Sequence, residues 1–393
     1  MGSYITESDI EKIKEYAKHV LSNSKIMIIK VGSAVLTQKE GNLDLRVITR
    51  LVDQIARIHD LGKKVILVSS GAVAAGKRYL KCKKGEDLPL WKKQAAAAIG
   101  QSRLMHIYDE FFEKYNKVTA QVLLTRDDLK NRRRFLNAQN TFNTLLDEGV
   151  IPIVNENDTV AVDELKFGDN DSLATLLLNL VGADLFINLT SAQGVYTANP
   201  DIDKDAKPIF FIEDIKSLDI DKMCQGKTYV GSGGMYSKLI AAKRAAQIGV
   251  PTLIVSGKIP FVLEKVFSGE ILGTWIKPLE ETVSRKKFWM AYNLEPKGII
   301  YIDTGAKNAL LFKGKSLLPV GVVGVNGEFF EGDLVKIVSE DEVEIGVGLT
   351  NYSAKDLIKI KGKKTYELRE ILGKTKIAEE VIHRDNLLID AIF

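Results

Sequence analysis

The chain has 393 residues, of which 45% are hydrophobic and 27% charged, with a formal net charge of +4. These proportions describe an ordinary folded protein and exclude a long disordered chain or a polybasic nucleic-acid binder recognisable by charge alone. Two cysteines, Cys82 and Cys224, stand far apart without neighbouring Cys or His pairs, so neither a disulfide framework nor a zinc site is supported. No apolar run approaches the ~18–20 residues that cross a bilayer, and a cytoplasmic location is expected.

Residues 1–24 read as an N-terminal extension, a charged and helix-like segment. An apolar strand covers 26–31, and Val47, Ile48, Leu51, Ile55 and Ile58 then recur at helical spacing until Gly62 closes the helix. The order repeats: strand 65–68, helix 94–115, strand 118–124, helix 137–146, strand 151–154, helix 172–181, strand 184–189, helix 235–247, strand 252–255. Alternation of this kind predicts an α/β domain over 25–277, an αβα sandwich with a mainly parallel sheet. Around residue 278 the alternation stops, and the charged stretch 278–294 reads as a linker. Short β-like runs at 298–302, 309–312, 320–325, 334–337 and 343–347 predict a small, mostly β domain over 295–377, followed by a C-terminal segment, 378–393.

In open parallel sheets, ligands collect beyond the carboxyl ends of the strands. Lys30, Ser70, Asn155–Asp158 and Thr190 all follow strands, so one crevice could gather them. Gly231-Ser232-Gly233-Gly234-Met235-Tyr236-Ser237-Lys238 delivers a lysine onto a helix through a glycine cluster whose amides suit an anion. A lone lysine at a strand end, such as Lys30, ordinarily reaches into solvent. Two lysines from independent glycine-containing turns instead suggest a pair that offsets charge on a transferring phosphoryl group. Gly71–Lys77 imitates a phosphate loop but has Arg78 where magnesium needs Ser or Thr, so a short helix with Ser70, Gly71 and Ala72 facing a ligand is the better expectation. The acids and amides of Asn155-Glu156-Asn157-Asp158 could hold a zwitterionic substrate, although Asn and Asp also populate ordinary turns. In Gly168-Asp169-Asn170-Asp171, one aspartate can cap the following helix; the other is left to orient lysines or to reach magnesium through water.

In their order, Lys30–Thr37, Ser70–Gly76, Gly100-Gln101-Ser102, Leu124-Thr125-Arg126, Asn155–Asp158, Gly168–Asp171 and Gly231–Lys238 resemble the motifs of the glutamate 5-kinases, a branch of the amino acid kinase family. Beyond them Asp303–Ala306, Ser316–Pro319 and Gly348–Ser353 resemble a PUA domain. The resemblance implies ATP-dependent phosphorylation of the γ-carboxylate of L-glutamate, the first step of proline biosynthesis, with Mg2+. It implies that Lys30 and Lys238 stabilise the phosphoryl group, with Asp171 (and Asp169) positioning lysine or metal. Ser70, Asp158 and Asn170, with Asn155 and Asp169, would hold glutamate. ATP would lie against Lys30, Gly32, Thr190, Ser191 and the turn Ser232, Gly233, Gly234, Met235, Tyr236, Ser237 and Lys238. A homo-oligomer, dimer or tetramer, and a glutamyl phosphate reductase partner are further implications. The chain departs from the pattern at Ser191, where the family carries Asp, and at Ser232, where Thr is common. Two alternatives stay open: a related kinase of another acidic substrate, and RNA binding by the C-terminal domain, although 15 Lys/Arg against 12 Asp/Glu over 286–377 make only a modestly basic surface.

Overall fold

The computed structural model describes residues 4–5, 10–38, 41–80, 88–160, 170–224, 234–373 and 377–389, and the chain divides into two units, residues 1–282 and 283–393. The first unit opens with β1 (Tyr4–Ile5), α1 (Ile10–Asn23), β2 (Ile26–Val31), α2 (Ser33–Leu36), α3 (Leu45–Asp60) and β3 (Lys64–Ser69). It continues through α4 (Ala72–Lys77), α5 (Leu90–Glu113), β4 (Thr119–Leu124), α6 (Arg126–Lys130), α7 (Arg132–Asp147) and β5 (Ile151–Glu156). Then come α8 (Asn170–Val181), β6 (Leu185–Thr190), β7 (Val195–Tyr196), β8 (Pro208–Ile209), β9 (Phe211–Ile212) and α9 (Ile220–Met223). The last elements are α10 (Met235–Gln247), β10 (Thr252–Ser256), α11 (Val262–Phe267) and β11 (Thr274–Ile276).

Nine strands form one sheet in the order β1-β9-β11-β10-β6-β2-β3-β5-β4, parallel except where β1 meets β9 and β10 meets β11. Alternate residues of the central strands serve opposite faces. Met27, Ile29 and Val31 of β2, with Leu185, Ile187 and Leu189 of β6, join a core with α1, α3, α5 and α11. The intervening residues, Lys30 and Asn188 among them, point to the other face, where α8 and α10 pack. The expected layered α/β architecture is therefore present. The N-terminal extension carries the helix α1, and the inner face of that helix belongs to this core: Ile13, Ala17, Val20 and Leu21 are buried, and the Tyr16 ring meets Phe211 edge-on at 4.9 Å.

Two glycines bring α4 and α5 into backbone contact. A Cβ at Gly76 would lie 1.8 Å from the Ala96 carbonyl oxygen, and one at Gly100 would lie 1.8 Å from that of Ala72. Glycine at 76 therefore serves helix packing, and the neighbour of Gly100, Gln101, accepts at its Oε1 from Asn155 Nδ2 of β5 at 2.9 Å.

The second unit holds α12 (Arg285–Asn293), β12 (Gly298–Ile302), α13 (Thr304–Lys313), β13 (Val322–Gly327), β14 (Leu334–Ser339), β15 (Glu344–Leu349), α14 (Ala354–Ile360), α15 (Leu368–Leu372) and β16 (Leu387–Ile389). Its sheet runs β13-β12-β14-β15-β16. The stretch expected as a linker contains α12, and β16 extends the sheet from the segment beyond residue 377. One expectation fails here: residues 309–312 are helical, within α13. Asp303 Oδ1 accepts the Ala306 amide at 2.7 Å and Gly314 closes the helix with φ 55°, so the caps at both ends override a short apolar run that resembles a strand.

Candidate active site

Lys30 ends the apolar run of β2, yet its side chain is only 2% exposed. Its ammonium lies 2.6 Å from Asp171 Oδ1, which takes it out of the solvent-reaching class to which an isolated strand-end lysine belongs. Lys238, in the first turn of α10 and equally buried, places its ammonium 3.2 Å from Asp171 Oδ2 and 3.4 Å from the Gly234 carbonyl oxygen. The two expected lysines thus converge on one carboxylate. That carboxylate has two further donors: Asn188 Nδ2 at 2.7 Å to Oδ1 and Ser237 Oγ at 2.8 Å to Oδ2. Each oxygen accepts from at least one ammonium and one neutral group, an arrangement matched to the carboxylate anion.

Asn170 precedes Asp171 at the start of α8 and points into a different network. Its Nδ2 donates to Ser70 Oγ at 2.8 Å and to Asn155 Oδ1 at 3.0 Å, and it lies 3.4 Å from the Ser69 carbonyl oxygen. Asn155 Nδ2 in turn donates to Gln101 Oε1 at 2.9 Å. This chain of amides leaves Asn170 Oδ1 buried with no hydrogen-bond partner, an acceptor that a bound donor would satisfy. Beneath it Ser69 Oγ and the buried Tyr108 hydroxyl are 2.8 Å apart. Burial pushes the Tyr108 phenol well above its ordinary range and so keeps it neutral.

Of the other expected residues, Asp158 is half-buried beyond β5, and burial raises its carboxyl above the usual aspartate value. No hydrogen bond ties it to the Ser70–Asn155–Asn170 network among the described residues. The Gly32 amide donates to the Leu189 carbonyl at 3.2 Å, and an added Cβ there would come within 4.0 Å of Lys30 Nζ. Thr190 is buried at the end of β6, whereas Ser191 is exposed beyond it. Gly234, Met235 and Tyr236 are half-buried at the start of α10. Asp169, Ser232 and Gly233 lie outside the described residues.

Two side chains went unassigned in the sequence and take part here. Gln101 lies within a quoted motif but had no role. Asn188 had a signal, a lone amide within the otherwise apolar Leu185-Phe186-Ile187-Asn188-Leu189 of a central strand, which sequence reasoning passed over.

No group of three His, Cys, Asp or Glu side chains placed to hold a metal occurs among the described residues. The Asp171 carboxylate, already facing two ammonium groups, is a poor cation ligand. A magnesium ion would fit this site as part of a nucleotide complex, held through phosphate oxygens and water, better than in a protein cage.

Comparison with known proteins gives a consistent result. The model of the amino acid kinase family matches residues 25–256, and that of the PUA domain matches residues 298–372. The chain is 58% identical over 372 residues to the glutamate 5-kinase of Maridesulfovibrio salexigens, covering 94% of this chain and 98% of that protein. It is 47% identical over 371 residues to the glutamate 5-kinase of Geobacter sulfurreducens, covering 94% and 99%. Among solved structures, UMP kinase from Bacillus anthracis aligns with TM-score 0.45 and 17% identity over 65% of this chain and 96% of that one.

Proposed function

The chain belongs to the amino acid kinase family, and from that premise we propose that it transfers the γ-phosphoryl group of ATP to the γ-carboxylate of L-glutamate, forming L-glutamyl 5-phosphate for proline synthesis. The observation that carries the proposal is the divergence of two consecutive side chains at the start of α8. Asn170 enters the amide network with Ser70 and Asn155, while Asp171 gathers Lys30 and Lys238. One helix end thus links a site for a small polar acceptor to a site for a phosphoryl group.

The acceptor is a carboxylate, ionised and nucleophilic at neutral pH, so no general base is required. What the reaction needs is alignment and an offset for the charge on the equatorial oxygens of the moving phosphoryl group. Lys30 and Lys238 supply that offset from opposite sides, and Asp171 fixes their separation. Glutamate is held by Ser70, Asn155 and Asn170, and its ammonium is a donor of the kind the unpaired Asn170 Oδ1 lacks. Asp158 contributes a negative charge for the same ammonium, and Asp169 stands next to this group in sequence. Gly32, Thr190, Ser191 and the turn Ser232–Lys238 hold ATP. Ser191 provides a hydroxyl where the family's aspartate would provide charge. Mg2+ accompanies the nucleotide and neutralises phosphate charge. We further assign the kinase domain to 25–277 and the PUA-like domain to 295–377, and expect a homo-oligomer that hands its labile acyl phosphate to a reductase.

The test traps the acyl phosphate as a hydroxamate. L-glutamate with ATP gives product; aspartate and N-acetylglutamate do not replace it. Product from one of these in place of glutamate would reassign the substrate.

A further inference from the structure

Asn188 sits on β6 in direct register with Lys30 on β2, so the two side chains stand side by side on the face covered by α8. Both reach the same oxygen, Asp171 Oδ1, at 2.7 Å for the amide and 2.6 Å for the ammonium. The orientation of the amide follows from this contact. Turned over, its carbonyl oxygen would face a carboxylate oxygen, acceptor against acceptor. With Nδ2 committed to Asp171, the Asn188 Oδ1 atom is left buried without a hydrogen-bond partner, and the residue is 0% exposed. Half-satisfied amides in a fully buried strand oppose stability, and an apolar side chain of similar size would remove the unpaired atom altogether. On the same face of β6 the neighbouring Phe186 is apolar and fully buried, so this face of the strand accepts an apolar side chain.

A group retained against stability at the edge of a charge cluster is characteristic of function. We propose that Asn188 is a positioning residue for phosphoryl transfer: it anchors Asp171 Oδ1 from the sheet, so that the carboxylate holds Lys30 and Lys238 at a fixed separation while a phosphoryl group passes between them. It touches neither substrate. Ser237 performs the matching task on Oδ2 from α10, at 2.8 Å. Without the amide, Asp171 Oδ1 keeps the Lys30 contact but loses a constraint from the sheet, and the carboxylate can turn about its own side-chain bonds. The inference rests on the kinase reading given above.

The test compares the full chain with Asn188→Leu, Asp171→Asn and the double variant in the hydroxamate assay, alongside thermal melting. Asn188→Leu is expected to melt at or above the parent temperature while kcat falls about 10- to 100-fold, the usual scale for a side chain that orients a reacting group, and the KM values for ATP and glutamate stay within about threefold. In the double variant the added leucine costs nothing further, because its effect runs through Asp171. Asn188→Ser, too short to reach the carboxylate, guards against a poorly folded leucine variant and loses kcat as well. A parent-like kcat in either folded variant, or losses that multiply in the double variant, would overturn the proposal. A parent enzyme inactive on glutamate would instead refute the substrate assignment; the same variants then apply to whichever acceptor the screen returns, and the melting comparison reads in either case.

Discussion

Replacing Asp171 by Asn keeps the shape of the side chain and deletes the negative charge that opposes two buried ammonium groups. Lys30 and Lys238 are 2% and 3% exposed, so water offers them little compensation. Breaking a buried ion pair by removing one partner costs ~3–5 kcal/mol, largely because a charge is left without its counter-charge. Asp171 serves two lysines, so the loss belongs at the upper end of that range. In a folding unit spanning residues 1–282, each kcal/mol moves the melting temperature by roughly 2 °C, and the variant should melt about 8–10 °C lower. Activity should suffer separately: the lysines lose their common reference point, and misplacement of such groups by about 1 Å can cost about 100-fold in kcat. ATP brings anionic oxygens to two ammonium groups that have lost their counter-charge, so saturating MgATP should raise the melting temperature of the variant more than that of the parent. Differential scanning calorimetry with and without MgATP, together with the hydroxamate assay, measures all three effects. A variant that melts within 2 °C of the parent and retains its kcat would refute the view that Asp171 holds the lysines in place.

Further predictions concern the surroundings. Asn155→Ala breaks the amide chain from Gln101 to Asn170; the KM for glutamate should rise about 10- to 100-fold, matching ~1–3 kcal/mol for a buried polar group left unpaired, with little change in the KM for ATP, as initial-rate kinetics would reveal. Gly100→Ala drives a methyl group into the Ala72 carbonyl, at 1.8 Å before relaxation, and should destabilise by about 3 kcal/mol; an unchanged melting curve would show that α4 and α5 separate freely. Deleting residues 1–24 removes buried Ile13, Val20 and Leu21, each worth ~1.5–3 kcal/mol as an upper estimate, and should lower the melting temperature by more than about 10 °C or cause aggregation. Burial pushes the Cys224 thiol up to about 11, so at pH 8 only about one in a thousand is thiolate. In a Cys82→Ser background, Cys224 should resist thiol reagents at pH 8 and react once the protein is denatured or the pH approaches 11; rapid native labelling at pH 8 would contradict its burial.

Much of this was legible in sequence because the relevant signals are local. The strand-helix alternation defines the parallel sheet, since continuous apolar runs fit strands covered on both faces. Lys30 and Lys238 were legible because each stands at a structural punctuation mark, the one a charge interrupting the apolar end of β2, the other just after a glycine turn. What escaped was relational. Asn188 acquires meaning only when β6 pairs with β2 and brings it beside Lys30, a register that no local pattern states. Gln101 matters because Gly76 and Gly100 let two helices touch, and a glycine does not announce which backbone it will meet. Residues 309–312 misled because an apolar run of strand length is also a helix segment, and only the caps at Asp303 and Gly314 decide between them. The inner face of α1 was hidden by its charge, which occupies the outer side of an amphipathic helix.

The most direct test of the central claim is the kcat of Lys238→Met and Lys30→Met, substitutions that keep side-chain bulk and remove the ammonium. If both amines stabilise the migrating phosphoryl group, each variant should fold and lose at least about 100- to 1,000-fold in kcat at saturating ATP and glutamate. A folded variant of either kind turning over within tenfold of the parent would contradict the account.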